Sequence, residues 1–275
     1  MSRPFRLRTL LALGVVTAAV GALSAPAHAV ASRTVRVMSF NIHHGANAAG
    51  VLDLAAVAKV IADSGADVVG LQEVDRHWSE RSDWLDEATW LGERLGMHVA
   101  YAANLDQDPA TPGAPRRQYG TAVLSRYPIL ESGNTLLTKG GDPATEQRGL
   151  LYTRVMVRGV PLRFYDTHLQ NTSAPVRQAQ ADEVTDLIGT GGGPMVLTGD
   201  LNAEPTAAEV ATLTARYPDT WPATNPDDPG LSYPSEAPHA RIDYVLSTAT
   251  PTAATVLPVT VSDHRPVLTT LTLRR

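Results

Sequence analysis

Thr34 to Phe40 alternates apolar and polar side chains with the period of a half-buried strand and runs directly into Asn41. Asp67 to Gln72 is a short apolar strand that ends at Glu73. Between them Asp53 has the chemistry of a helix N-cap. Leu54, Val57, Ala58 and Ile61 then recur on one helical face until Gly65 stops it. A second helix is predicted over Asp83 to Leu95, with Trp84, Ala88, Leu91 and Leu95 as its buried stripe. The first third of the chain thus alternates strand, helix, strand, helix.

From Tyr119 onward the period shortens. Tyr119 to Ser125, Leu130 to Leu137 and Leu150 to Val157 read as strands, and Arg158-Gly159 marks a hairpin into Val160 to Asp166. Pro175 suits the first turn of a helix that ends near Ile188, before a glycine-rich connection from Gly189 to Gly193. Strands resume at Met195 to Thr198, Ile242 to Leu246, Thr252 to Val259 and Pro266 to Leu273. These are more strands than one open sheet of this size needs. The expected fold class is therefore α/β, with two packed mixed β-sheets flanked by helices, a four-layer α/β sandwich.

Composition narrows the setting of that domain. In 275 residues there are 43% hydrophobic side chains and no cysteine, which excludes a disordered chain and a disulfide-stapled scaffold. Arg3, Arg6 and Arg8 precede an apolar run from Leu10 to Leu23 that is short for a bilayer span, and Ala27-His28-Ala29 has the form of a cleavage site. Residues 1–29 are expected to be a secretory signal peptide and 30–275 the working domain, secreted and monomeric. Removing the three leader arginines leaves 20 basic against 28 acidic side chains. Such a balance argues against binding polyanions by bulk charge, so a phosphate substrate would need local cations.

Chemistry gathers at the ends of the apolar runs. Asn41, Glu73, His168, the Asp200-Leu201-Asn202 triplet, Asp243 and the Asp263-His264 pair all sit at predicted strand ends. Each alone is an ordinary turn, cap or core residue. Their recurrence places them along one rim of a sheet, where distant segments converge.

The segments Met38 to Ile42, Leu71 to Val74, Gly120 to Pro128, Asp166 to Leu169, Gly199 to Asn202, Arg241 to Tyr244 and Ser262 to Pro266 together resemble the endonuclease/exonuclease/phosphatase superfamily, in that family's order. The resemblance covers nearly all of residues 30–275. It implies a divalent-metal-dependent phosphohydrolase, most simply a phosphodiesterase acting on nucleic acid or on a phospholipid or inositol phosphoester.

Phosphate esters demand accelerations that can exceed about 10¹⁷-fold, and positioned acid–base groups supply only about 10²–10⁴ of it. A hard cation, Mg²⁺ or Mn²⁺, is expected to neutralise the developing charge, and such ions take oxygen ligands. Glu73 is the first choice, with the amide oxygen of Asn41 beside it and Asp263 as a further ligand. Asp200 and His264 are the two candidates for activating water. The resemblance makes Asp243 the orienting acid of His264, so an Asp243-His264 base is expected, with Asp200 and Asn202 orienting water and phosphate. It also implies transition-state stabilisation by His168, with Glu146 as the acid partner of that histidine. Arg148, Arg241 and Tyr119 are expected at the phosphate, and Arg116 and Arg117 are ordinary surface residues. Among the tryptophans only Trp78, beside the Glu73 loop, is expected to matter to substrate.

Two other classes compete. A glycoside hydrolase with Asp200 and Glu204 as its carboxylate pair leaves Asn41, His168 and His264 unused. A catalytically inactive binding module on the same scaffold is expected to have lost some of the polar strand ends, and none is missing.

Overall fold

The computed structural model describes Met1, residues 32–143 and residues 145–274, so the expected leader, Met1 apart, lies outside the described residues. β1 (Arg33–Asn41) and β2 (Val68–Arg76) run parallel, as a strand, crossover helix and strand require. The crossover is α1 (Leu54–Ser64), whose first turn is capped by Asp53 through a 2.9 Å bond from the Ala56 amide. It ends at Gly65, which adopts the left-handed φ of 64° that glycine takes without steric cost.

Two more strands, β3 (His98–Gln107) and β4 (Arg117–Ser125), extend this sheet on one side. On the other side lie β10 (Thr250–Val256) and β11 (Val267–Leu273), giving the order β10-β11-β1-β2-β4-β3. The second sheet holds β5 (Ile129–Leu136), β6 (Gly149–Val157), β7 (Val160–His168), β8 (Met195–Asp200) and β9 (Asp243–Ser247) in sequential order.

Three apolar layers hold the sandwich together. Val35, Val37, Val68 and Val123 of the six-stranded sheet meet Leu162, Phe164, Val196 and Val245 of the five-stranded one. α1 and α2 (Glu87–Leu95) cover the outer face of the first sheet through Val57, Ile61, Ala88 and Leu91. α3 (Ala174–Ile188) and α4 (Ala208–Thr214) cover the second through Val184, Ile188, Val210 and Leu213. Two mixed sheets between helices are thus the fold.

The period-two alternation also carries the chemistry. Valines 35 and 37 face the gap between the sheets, so Ser39 and Asn41 continue the same face. Gly70 and Gln72 do this on β2, Asp166 and His168 on β7, and Thr198 and Asp200 on β8. Each inner face therefore turns from apolar to polar toward the same end, where Asn41 pairs with Gln72, His168 with Asp200, and Asp200 with Asp243.

Several boundaries differ from the sequence expectation. The second helix begins at Glu87, because Asp86 caps it by accepting from the Thr89 amide, while Asp83 takes a left-handed φ after a 3-10 turn. Trp84 is consequently 39% exposed and not part of a buried stripe. The last strands are Thr250–Val256 and Val267–Leu273, and β9 begins at Asp243, not Ile242. β3, α4 and the short α5 (Thr220–Thr224) were not expected at all. Among the described residues no helix is long and apolar enough to cross a membrane.

Candidate active site

Glu73 does not sit at a strand end. β2 continues to Arg76, and its pairing with β4 slips between Leu71 and Val74, leaving Gln72 and Glu73 in a bulge. Glu73 takes a φ of 57° there, a conformation that costs a non-glycine residue about 1 kcal/mol and re-aims its side chain. The carboxylate so placed accepts from Asn41 Nδ2 at 3.0 Å. The same amide nitrogen donates to Asp200 Oδ2 at 3.1 Å, across the gap between the sheets. Asn41 Oδ1, expected as a metal-facing oxygen, accepts instead from the His43 amide at 3.0 Å.

Asp200 Oδ2 is the meeting point. His168 Nε2 lies 3.4 Å from it and His264 Nε2 3.7 Å. His264 Nδ1 in turn faces Asp243 Oδ2 at 3.0 Å, and Asp243 also accepts from Ser232 Oγ at 2.6 Å. Asp243 opens β9 and the Asp263-His264 pair precedes β11. Both strands run antiparallel to their neighbours, which brings their beginnings to the rim where β1 and β8 finish. The Tyr233 ring lies 4.7 Å from that of His264.

Burial governs the protonation of this group. It pushes the Asp200 carboxyl up to about 7, against the pull of His264 and of the donors from Asn202 and Asn41. For His264 burial works in the opposite sense, and Asp243 with Asp200 overcomes it, raising the imidazole to about 10. Asp200 and His264, 3.7 Å apart, therefore titrate together.

His168 has a different neighbour from the one expected. Glu146 forms an ion pair with Arg148 at 2.6 Å, and Arg148 Nη1 lies 2.9 Å from His168 Nδ1. The arginine stands where the acid was expected to touch. Burial, with the Arg148 charge and then His264, drives the His168 imidazole well below its usual range. Asn202 Nδ2 lies 2.9 Å from the other ring nitrogen and donates to the Leu169 carbonyl at 3.0 Å.

Arg241 is not brought to this cluster. It pairs with Asp219 at 2.7 Å, lies over the Tyr244 ring and lines a groove with Glu204, Pro205 and Trp221. Glu204 lines that groove and Asp200 does not. Tyr119 lies beside Trp78, at 5.9 Å between rings, and burial followed by the charges of Glu73 and Glu146 pushes its hydroxyl well up. Arg116 pairs with Asp106 and Asp108 on the surface. Arg81 lies over both Trp78 and Tyr119 while clamping Asp75.

Arg81, Ser232 and Tyr233 carried no role in the sequence reading, since loop residues without periodicity give no signal. His43 and His44 were visible in the first motif and were given none. Their ring nitrogens and a Glu73 oxygen lie within 4.8 Å of one another. Burial, then Arg81 and His43, lowers the His44 imidazole to about 3.

A two-sheet sandwich whose inner faces end in carboxylates, imidazoles and amides around one point has the build of a phosphoesterase fold. Residues 38–264 match the Endonuclease/Exonuclease/phosphatase family, and the chain belongs to it. Members of that family are phosphoester hydrolases. The chain is 27% identical over 248 residues to the uncharacterized protein YbhP of Escherichia coli, spanning 84% of this chain and 94% of that one. It is 24% identical over 259 residues to Sphingomyelinase C of Bacillus cereus, spanning 79% and 74%. A crystal structure of an endonuclease/exonuclease/phosphatase from Beutenbergia cavernae superposes with a TM-score of 0.74 at 29% identity, covering 88% of this chain and 72% of that one.

Proposed function

We propose that this chain hydrolyses a phosphodiester by attack of water, assisted by a divalent cation. The observation that carries the reading is Asp200 Oδ2, reached from both sheets by Asn41 Nδ2 at 3.1 Å, His168 Nε2 at 3.4 Å and His264 Nε2 at 3.7 Å. One buried carboxylate flanked by two imidazoles suits a water that must lose a proton beside a phosphate that gains charge.

Glu73 and Asp263 are half-buried carboxylates, oxygen donors of the type a hard cation takes, and both lie next to the Asn41 loop. Held there, the ion supplies neutralisation of the charge that builds on the phosphoryl oxygens. The chain's own groups do the rest. Asn41 ties Glu73 to Asp200 and so would hold the ion's carboxylate at a fixed spacing from the base. Asp200 takes the water's proton, and His264, held by Asp243 at Nδ1, steadies that carboxylate through its Nε2–H. His168 keeps its proton on Nε2, because Arg148 can only donate and does so at Nδ1, and offers that N–H to an oxygen of the phosphate or leaving group.

The substrate we favour is a lipid-type phosphodiester. Support comes from the acidic balance of the chain, which has 28 acidic against 23 basic residues, and from its similarity to a sphingomyelinase. Export from the cytosol belongs to the same reading, supported by the Arg-rich start, the apolar run and Ala27-His28-Ala29. A secreted form beginning at Val30 is the result expected by mass spectrometry.

The decisive assay sets sphingomyelin, phosphatidylinositol, plasmid DNA and RNA side by side, with Mg²⁺ or Mn²⁺ and with EDTA. Turnover of a phospholipid that EDTA stops and His264→Ala abolishes is expected. Turnover confined to nucleic acid would overturn the substrate, and turnover unaffected by EDTA would overturn the cation.

A further inference from the structure

We propose that His43, His44 and Glu73 form a cation position that takes a divalent transition ion, of the zinc or cobalt type, through two imidazoles and one carboxylate. The oxygen-ligand site of Glu73 and Asp263 has no use for imidazole, and magnesium avoids nitrogen donors, whereas zinc and cobalt favour them. The two histidines nevertheless converge on Glu73. One ligand atom from each of the three lies within 4.8 Å of the others, and the imidazole rings stand 4.3 Å apart at 61°. Small side-chain rotations close that spacing to the roughly 3.4 Å between ligands that tetrahedral bonds of about 2.1 Å require.

The ring nitrogens fit such a role. His43 Nδ1 faces the Ala46 carbonyl at 3.3 Å, which commits that nitrogen to donating and leaves the Nε2 lone pair for an ion. Metal-bound histidines are oriented in this way. His44 Nδ1 is buried and meets no hydrogen-bond partner. Backbone geometry adds a third observation. His43, His44 and Glu73 hold φ values of 46°, 43° and 57°, left-handed conformations that three non-glycine residues adopt only at a cost. Those bends are what direct the three side chains to one place.

This position shares Glu73 with the cation site of the reading above but uses none of Asp200, Asp243 or His264. The two can therefore fail separately. The test uses the untagged chain, stripped of metal and titrated with Co²⁺. One equivalent is expected to produce the visible d–d bands of a nitrogen-containing, low-coordinate site. His43→Ala and His44→Ala should each weaken Co²⁺ binding roughly tenfold or more, while His264→Asn keeps the bands even as it loses hydrolysis. Co K-edge absorption of the wild-type protein, which needs no variant to fold, should show imidazole scattering. Unchanged Co²⁺ affinity in a folded His43→Ala/His44→Ala variant would overturn the proposal, as would the lack of imidazole scattering. Full Co²⁺ binding with no phosphodiester turnover would instead sink the hydrolase reading and leave this one standing.

Discussion

Arg148 Nη1 lies 2.9 Å from His168 Nδ1, so a guanidinium, not a carboxylate, orients the first histidine of the site. Arginine stays charged and never accepts. Arg148 therefore decides the tautomer and keeps His168 neutral with its proton on Nε2. Arg148→Ala should lower kcat about 10²-fold, the low end of what a positioned acid–base group contributes. Because the arginine acts through the histidine, adding His168→Ala should cost much less than it does in the wild type. Additive losses in that double-mutant cycle would separate the two residues.

Asp243 accepts from both His264 Nδ1 and Ser232 Oγ. In Asp243→Asn the carboxylate charge that holds the His264 imidazole protonated is lost, and with it the imidazolium that faces Asp200. A fall in kcat of about 10²–10⁴ with little change in KM is expected, in the range seen when the acid of a catalytic triad becomes an amide. Ser232→Ala removes one donor to the same carboxylate and should cost no more than about tenfold. Steady-state kinetics on both variants with bis-p-nitrophenyl phosphate check the order.

Much of this constellation was readable from alternation alone. Val35 and Val37 set the inner face of β1, and two further steps of the same period reach Asn41. Thr198 and Asp200 follow Val196 by the same rule. What could not be read were departures from the period. The bulge at Gln72 and Glu73 breaks the β2–β4 register without a glycine or proline to announce it. β3 has exposed ends and buries only the small or polar Ala100, Ala102 and Asn104, and α4 and α5 are each shorter than two full turns. Arg148 reads like any arginine near a carboxylate until tertiary packing wedges it between Glu146 and His168.

The proton of His264 makes stability depend on pH. An unfolded histidine titrates near 6.5, and in the fold Asp243 and Asp200 raise His264 to about 10 despite its burial. The folded state thus binds this proton more tightly than the unfolded one. The stabilisation is complete below about pH 6.5 and disappears as pH rises to about 10. The melting temperature of the metal-stripped protein should decline across that window by an increment missing from His264→Gln. Parallel declines in the two proteins would show that the ion pair adds nothing.

At Gly70 the two sheets approach closely below the site. A Cβ built there would stand 2.0 Å from Thr198 Oγ1 and 2.3 Å from Asp166 Oδ1. Those atoms cannot withdraw freely. Asp166 Oδ1 accepts from Thr198 Oγ1 and from Gln72 Nε2, each at 2.6 Å, and burial holds the Asp166 carboxyl well above the usual carboxylate range. A methyl group must either push the sheets apart or break these buried bonds. Overpacking of a filled interior typically costs about 1–3 kcal/mol, and a lost buried hydrogen bond adds to it. Gly70→Ala should therefore destabilise the protein by about 3 kcal/mol in urea unfolding. Because Gln72 neighbours Asn41 across β1 and β2, the shift should reach the site and lower kcat as well. A variant as stable as the wild type would mean that the sheets are free to separate at this point, and that the polar bridge between them does not set the spacing of Asn41 and Asp200.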